Sequence, residues 1–184
     1  FFIHFDLLSS IRNFIQPMPT APFDSDTSYQ SYDFDTYKAN TKKHTRSTSI
    51  NGIIRVSETS VGKGVFARRH IHEGLLLSEI HGKVLEDYPE DSSYCMALPS
   101  GKLLEPTAPL RFLNHSCDPN CELFYWEDEE TNLQEDRLWL QTIRPIVPGE
   151  QLLIDYCWPA DAAIPCQCGA PTCRGWIVDP DEFH

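Results

Sequence analysis

Hydrophobic and polar positions alternate in short runs through most of the chain. After residue 50, "GIIRVSET" and "GVFARRHI" are β-branched and aromatic stretches on either side of "SVGKG", a pattern of two strands about a glycine-rich turn. "EGLLLSEIHGKVL" continues in the same manner. Further on, "LWLQTIRPI" and "EQLLIDYCW" read as strands joined through "VPG", where Pro148 and Gly149 suit a turn. No long stretch beyond residue 50 combines a helical period with caps, and no internal repeat is found. The pattern therefore predicts a mostly β domain of many short strands with irregular connections.

The first 49 residues are patterned differently. Phe1, Phe5, Leu8, Ile11 and Ile15 fall on one face of a short helix, whose plainest use is packing against the body. From Gln16 to about Ile50 the chain is rich in Pro, Ser, Thr and Asp and holds no sustained period, as a linker or loosely ordered arm would. Its basic "TKKHTR" is too short to establish a nucleic-acid or targeting role.

Composition narrows the functional classes. The 184 residues suffice for one domain with a sizeable core and a small appendage. With 41% hydrophobic residues and a net charge of -12, the chain is globular and acidic, which argues against nonspecific binding of DNA or RNA through phosphate neutralisation. The charge is uneven: residues 1–50 hold five basic and five acidic residues, residues 51–184 ten and 22. The densest acidic patch is "EDEETNLQED" at 127–136, a solvated loop between strands or a surface for a basic peptide. No run approaches the ~18 apolar residues of a membrane span, so no membrane association is expected. The opening residues lack the basic start and small-residue cleavage site of a signal peptide, and the absence of an initial Met suggests a processed or incomplete product.

Seven cysteines, at 95, 117, 121, 157, 166, 168 and 173, carry the first chemistry. An odd count without a secretion signal weakens a disulfide framework. Cys166, Cys168 and Cys173 in "CQCGAPTC" are close enough to meet around one tetrahedral zinc, with Gly169 and Pro171 bending the chain. Three thiolates are one short of a closed structural site. Cys117 is the favoured fourth ligand and Cys121 the competitor, and either would tie the tail back to the segment "RFLNHSCDPNCELFYW". No spaced set of His and carboxylates accompanies His115, so a metal hydrolase is the weaker idea.

Four segments in order, "GKGVFA" at 62–67, "RFLNHSCDPNC" at 111–121, "PGEQLLIDY" at 148–156 and "CQCGAPTCRGWI" at 166–177, resemble the SET-domain protein lysine methyltransferases with a post-SET zinc-binding tail. The resemblance covers about residues 50–178. It implies a β-rich fold of small sheets with a C-terminal pseudoknot where the segments around 111–121 and 148–156 cross. The corresponding division is an N-terminal segment and linker at 1–49, a SET-like catalytic domain at 50–158 and a post-SET-like zinc-binding tail at 159–184.

The same resemblance implies transfer of methyl groups from S-adenosylmethionine to a lysine of a protein, a histone tail being the expected class. The alternative is an inactive SET-like interaction module that keeps donor or zinc binding. Expected donor contacts are Lys63 and Gly64 in the glycine loop, Arg111, main-chain groups of Asn114 and His115, then Tyr156, Trp176 and Ile177. Tyr156 matches the tyrosine beside the transferring methyl group, and Tyr94 is the second candidate for the lysine channel. Trp158 is expected to anchor the tail, and Asp155 to hold the crossing together rather than act as a base. The structural Zn2+ would take Cys117, Cys166, Cys168 and Cys173.

Three departures from the family pattern stand out. Ile154 occupies a position where relatives commonly carry Tyr or Phe, which suggests a dimethylated or trimethylated product. The interval from Tyr88 to Arg111 is short and Pro-containing, and no cysteine cluster precedes residue 50. By family alone, the location would be the nucleus or chromosome in a eukaryote and the cytoplasm otherwise.

Overall fold

The computed structural model describes residues 50–87, 89, 91–125 and 136–183. The apolar face at Phe1–Ile15, the linker behind it, and nearly all of the acidic stretch 127–136 lie outside the described residues. Within them the elements are short strands and single-turn 3-10 helices, the mostly β architecture that the alternation predicts.

β1 (Ile54–Thr59) and β2 (Gly62–Ala67) form an antiparallel hairpin around Ser60 and Val61. Gly62 closes the turn at φ 111°, a conformation that glycine adopts without steric penalty. β10 (Gln151–Ile154) adds to β2, pairing Leu152 with Val65, and both side chains are fully buried. β7 (Asn114–His115) then joins β10 in parallel, Leu153 opposite Asn114 and Ile154 opposite His115, giving the sheet order β1-β2-β10-β7. The crossing of the segments around 111–121 and 148–156 is this parallel pair.

The remaining strands make three smaller sheets. β3 (Leu76–Glu79), β9 (Trp139–Thr142) and β8 (Cys121–Phe124) form one. β4 (Gly82–Leu85), β6 (Leu103–Pro106) and β5 (Met96–Ala97) form another. β11 (Ile164–Pro165) and β12 (Trp176–Ile177) form a ribbon in the tail. Strands adjacent in sequence are thus split between sheets: β3 and β4 separate at His81, and β9 and β10 separate across Pro148–Gly149 rather than pairing with each other. Ile54, Val65, Ile71, Leu138, Leu140, Ile146 and Leu152 fill the shared core.

Buried polar side chains fix the junctions. Asn120 is 0% exposed, and its amide donates to the Gln151 carbonyl at 2.8 Å and to Glu150 Oε1 at 3.0 Å while accepting from Leu153 N–H at 2.8 Å. One side chain therefore satisfies three groups at the start of β10. Glu150 also receives Arg144 at 2.6 Å and the Val147 N–H at 3.0 Å, so the turn before β10 is tied to the same residue. Thr142 does the equivalent for the β3 side, donating to the His72 carbonyl and accepting from Leu75 N–H.

Candidate active site and cysteine centre

Around the crossing, the sequence-predicted residues fall into three neighbouring groups. The first joins the glycine loop to the "NHSC" segment: the Asn114 side chain donates to the Lys63 carbonyl at 3.0 Å. Gly64 lies in regular strand geometry, and a Cβ there would stand 2.5 Å from Gln151 Nε2 and 2.8 Å from Thr59 Cγ2. Its missing side chain makes room for Gln151 of the neighbouring strand. Lys63 Nζ lies 5.3 Å from the centre of the Phe112 ring.

The second group lines a cavity of about 560 Å³. Tyr156, Ile154 and Trp158 enter it from β10 and the residues after it, Tyr94, Cys95 and Met96 from the segment leading into β5, and Arg111 and Leu113 from the segment before β7. The Tyr156 hydroxyl donates to the Leu113 carbonyl at 2.8 Å, and its ring stacks on Trp158 with centroids 5.6 Å apart. Burial, followed by the neighbouring Tyr94, pushes the Tyr156 phenol up to about 12. It therefore remains an O–H at neutral pH, fixed by its donation to the Leu113 carbonyl. Tyr94 is 46% exposed and packs edge-on against Phe112, with the Arg111 guanidinium 4.4 Å over its ring. Arg111 thus lines this cavity alongside the two tyrosines.

The third group is the cysteine centre. Ligand atoms of His115, Cys117, Cys166 and Cys168 all lie within 4.8 Å of one another, a set able to hold a metal ion. Cys117 Sγ and Cys166 Sγ are 3.8 Å apart, close to the ~3.8 Å edge of a tetrahedron whose Zn–S bonds are about 2.3 Å. Cys173 is in hydrogen-bonding contact with both Cys166 and Cys168. Cys121 is elsewhere, fully buried in the core, its thiol pushed up to about 12 mainly by burial. For Cys168, burial works against ionisation, but the N–H groups of Cys117 and Ala170 and the Cys166 and Cys173 thiols prevail and bring it down to about 6. Burial instead raises Cys117 and pushes Cys166 up to about 12, so the site rests on the spacing of its sulfurs.

His115 links this centre to the crossing. Its Nδ1 accepts the Tyr156 N–H at 3.2 Å, which leaves the ring proton on Nε2, facing Cys117 Sγ at 3.3 Å. Burial depresses its pKa despite the opposing charge of Asp155, so the ring is neutral. Asp155 accepts from Arg174 at 2.7 and 2.9 Å and from Cys157 N–H at 3.2 Å, tying the end of β10 to the tail.

Trp176 is 47% exposed and pairs with Pro165 in the β11–β12 ribbon, with Ile177 beside it opposite Ile164. Neither lines the cavity. Sequence reasoning missed Asn120, Arg174 and Cys157. The first was legible as an amide inside "DPNC", the second as a cation among apolar tail residues. Cys157 adopts φ 46°, for which a non-glycine residue gives no local cue.

Comparison with known proteins agrees with this geometry. The SET domain family matches residues 62–157, more than half of the chain, and the chain belongs to that family. Among curated relatives, Histone-lysine N-methyltransferase ash1 of Drosophila melanogaster is 30% identical over 158 residues, covering 76% of this chain and 7% of its own. Histone-lysine N-methyltransferase Set2 of the same organism is 33% identical over 139 residues, covering 66% of this chain and 6% of its own. The chain thus spans a small fraction of the curated relatives it matches. The structure of KRYPTONITE in complex with mCHG DNA and SAH superposes with a TM-score of 0.56 at 24% identity, over 68% of this chain and 29% of that one, a likeness of fold.

Proposed function

We propose that the chain is a protein lysine methyltransferase that uses S-adenosylmethionine and acts on a basic protein segment of the histone-tail class. The observation that carries this reading is the Tyr156 hydroxyl, anchored on the Leu113 carbonyl at the wall of a cavity that Tyr94, Ile154 and Trp158 also line. The relatives named as histone-lysine methyltransferases support the acceptor class.

The donor supplies an electrophilic methyl group on a sulfonium. Lys63, Gly64, Asn114 and His115, with Trp176 and Ile177 from the tail, are assigned to hold it against the crossing. The acceptor lysine must arrive as a neutral amine, since an ammonium has no lone pair, and its ordinary pKa of about 10.4 opposes this at neutral pH. The aromatic and aliphatic cavity wall disfavours the charged form by desolvation. The protonated phenol of Tyr156 orients the amine through its oxygen lone pairs, and the ring stack with Trp158 holds that oxygen in place. Ile154 contributes no hydroxyl to bind water beside the amine, which favours more than one methyl addition.

We assign a structural zinc to Cys117, Cys166, Cys168 and Cys173, with His115 donating to the Cys117 sulfur from outside the ligand set. On this assignment residues 50–158 form the catalytic domain and 159–184 its zinc-bound tail. Isotopically labelled S-adenosylmethionine, the purified zinc-loaded chain and a panel of core histones with unrelated lysine-rich proteins provide the test, read by intact mass and peptide mapping. Labelled lysine is expected, with kcat reduced roughly 100-fold by Tyr156→Phe and donor affinity retained. Donor binding without label on any protein would instead favour an inactive interaction module or an acceptor outside the panel.

A further inference from the structure

Among the described residues, three charged side chains line the cavity: Arg111, Asp155 and Glu122. Two are engaged. Asp155 is held by Arg174, and Arg111 lies over the Tyr94 ring with its NH1 3.8 Å from Glu105. On β8, directly after the fully buried Cys121, the Glu122 carboxylate has no hydrogen-bond or ion partner among the described residues. Its cross-strand neighbour is the neutral Gln141. The residue is open to solvent yet crowded by protein, and burial alone raises its pKa, with no cation to offset it. An exposed carboxylate in a concave wall, with no cation partner among the described residues, is a site for a cation supplied from outside.

We propose that Glu122 is a specificity-determining subsite that receives a second basic residue of the acceptor, near the lysine to be methylated. The proposal rests on the reading of the cavity as the acceptor channel and deepens it. Pro119, Leu123 and Ile143 line the cavity together with Glu122, providing apolar surface for the stem of an arginine or lysine while the carboxylate takes its head group. The acceptor this wall selects is a segment with clustered basic residues, not an isolated lysine.

The test uses the full chain, its Glu122→Gln and Glu122→Lys variants, and lysine-containing histone-tail peptides in which each flanking basic residue is replaced in turn by Gln or Glu. Peptide affinity by fluorescence anisotropy and kcat/KM for methylation are measured together. For the unmodified chain, replacing one particular flanking residue is expected to weaken both on the order of 10-fold. Glu122→Gln removes that discrimination, and Glu122→Lys reverses it in favour of the Glu-containing peptide. Thermal unfolding confirms that the variants are folded; the reversal by Glu122→Lys is a gain that misfolding cannot produce. Methyl transfer with the same discrimination in Glu122→Gln overturns the subsite and leaves the catalytic reading standing. Glu122-dependent discrimination in binding without any transfer keeps the subsite and overturns catalysis, and absence of both overturns both.

Discussion

Single side chains around the cavity differ in how far their chemical type announces their placement. Tyr156 was legible as the tyrosine of "IDY", and its pairing with the Leu113 carbonyl gives it a defined orientation. Arg111 is among the donor contacts expected from the family likeness, and its guanidinium lies over Tyr94 at the cavity wall. A planar cation over the ring, together with the edge-on contact to Phe112, restrains this partly exposed tyrosine. Arg111→Ala is therefore expected to raise KM for the acceptor peptide several-fold while donor affinity by calorimetry stays within about 2-fold, since cation–π contacts contribute about 0.5–2 kcal/mol. A fall in donor affinity with unchanged acceptor KM would return Arg111 to the donor side.

Elements are held together here by polar pins more than by strand length. β10 has four residues and β7 two, too few for ladder bonds alone to specify a crossing. Asn120 supplies the register by engaging Gln151 and Leu153 from the neighbouring loop. Asn120→Ala would leave buried main-chain groups unsatisfied and is expected to lower stability by roughly 3 kcal/mol in urea unfolding. Glu150 adds a pH dependence. Burial opposes its ionisation, but the Val147 N–H, Asn120 and Arg144 outweigh this and lower its pKa from 4.5. A depressed carboxylate stabilises the fold above its unfolded pKa and loses that contribution as pH falls through the folded one. Glu150→Gln should thus be less stable than the parent at pH 7, with the difference shrinking below pH 4.5 in thermal melts taken across that range. "VPGEQLL" was readable as a turn into a strand, but not that Glu150 would cap its own turn and reach Asn120, 30 positions earlier in the chain.

Across the whole molecule, the cysteine centre couples the tail to the crossing through Cys117, His115 and Asp155. Chelation of the proposed zinc is expected to increase amide exchange across residues 159–183 and along the 114–117 segment, while the β1–β2 hairpin remains protected, as mass-resolved hydrogen exchange would show. Cobalt(II) substitution distinguishes the ligand sets: Cys173→Ser should alter the thiolate charge-transfer bands strongly and His115→Ala weakly, and the reverse result would place His115 on the metal. The sequence by itself determined the β-rich character, because period-2 alternation is local. It also determined the cysteine spacing of the tail and the residue types of the site, because turn chemistry and metal-ligand spacing act over a few positions. Only the tertiary structure decided that consecutive strand runs part into different sheets, since pairing is chosen by which faces bury together rather than by proximity in the chain. It likewise placed Cys117 in the cluster and Cys121 in the core, four residues apart. The same holds for the Arg111 guanidinium over Tyr94 and for Glu122, whose side chain has no ion partner among the described residues, because a side chain's partner is fixed by the folded path of segments distant in sequence.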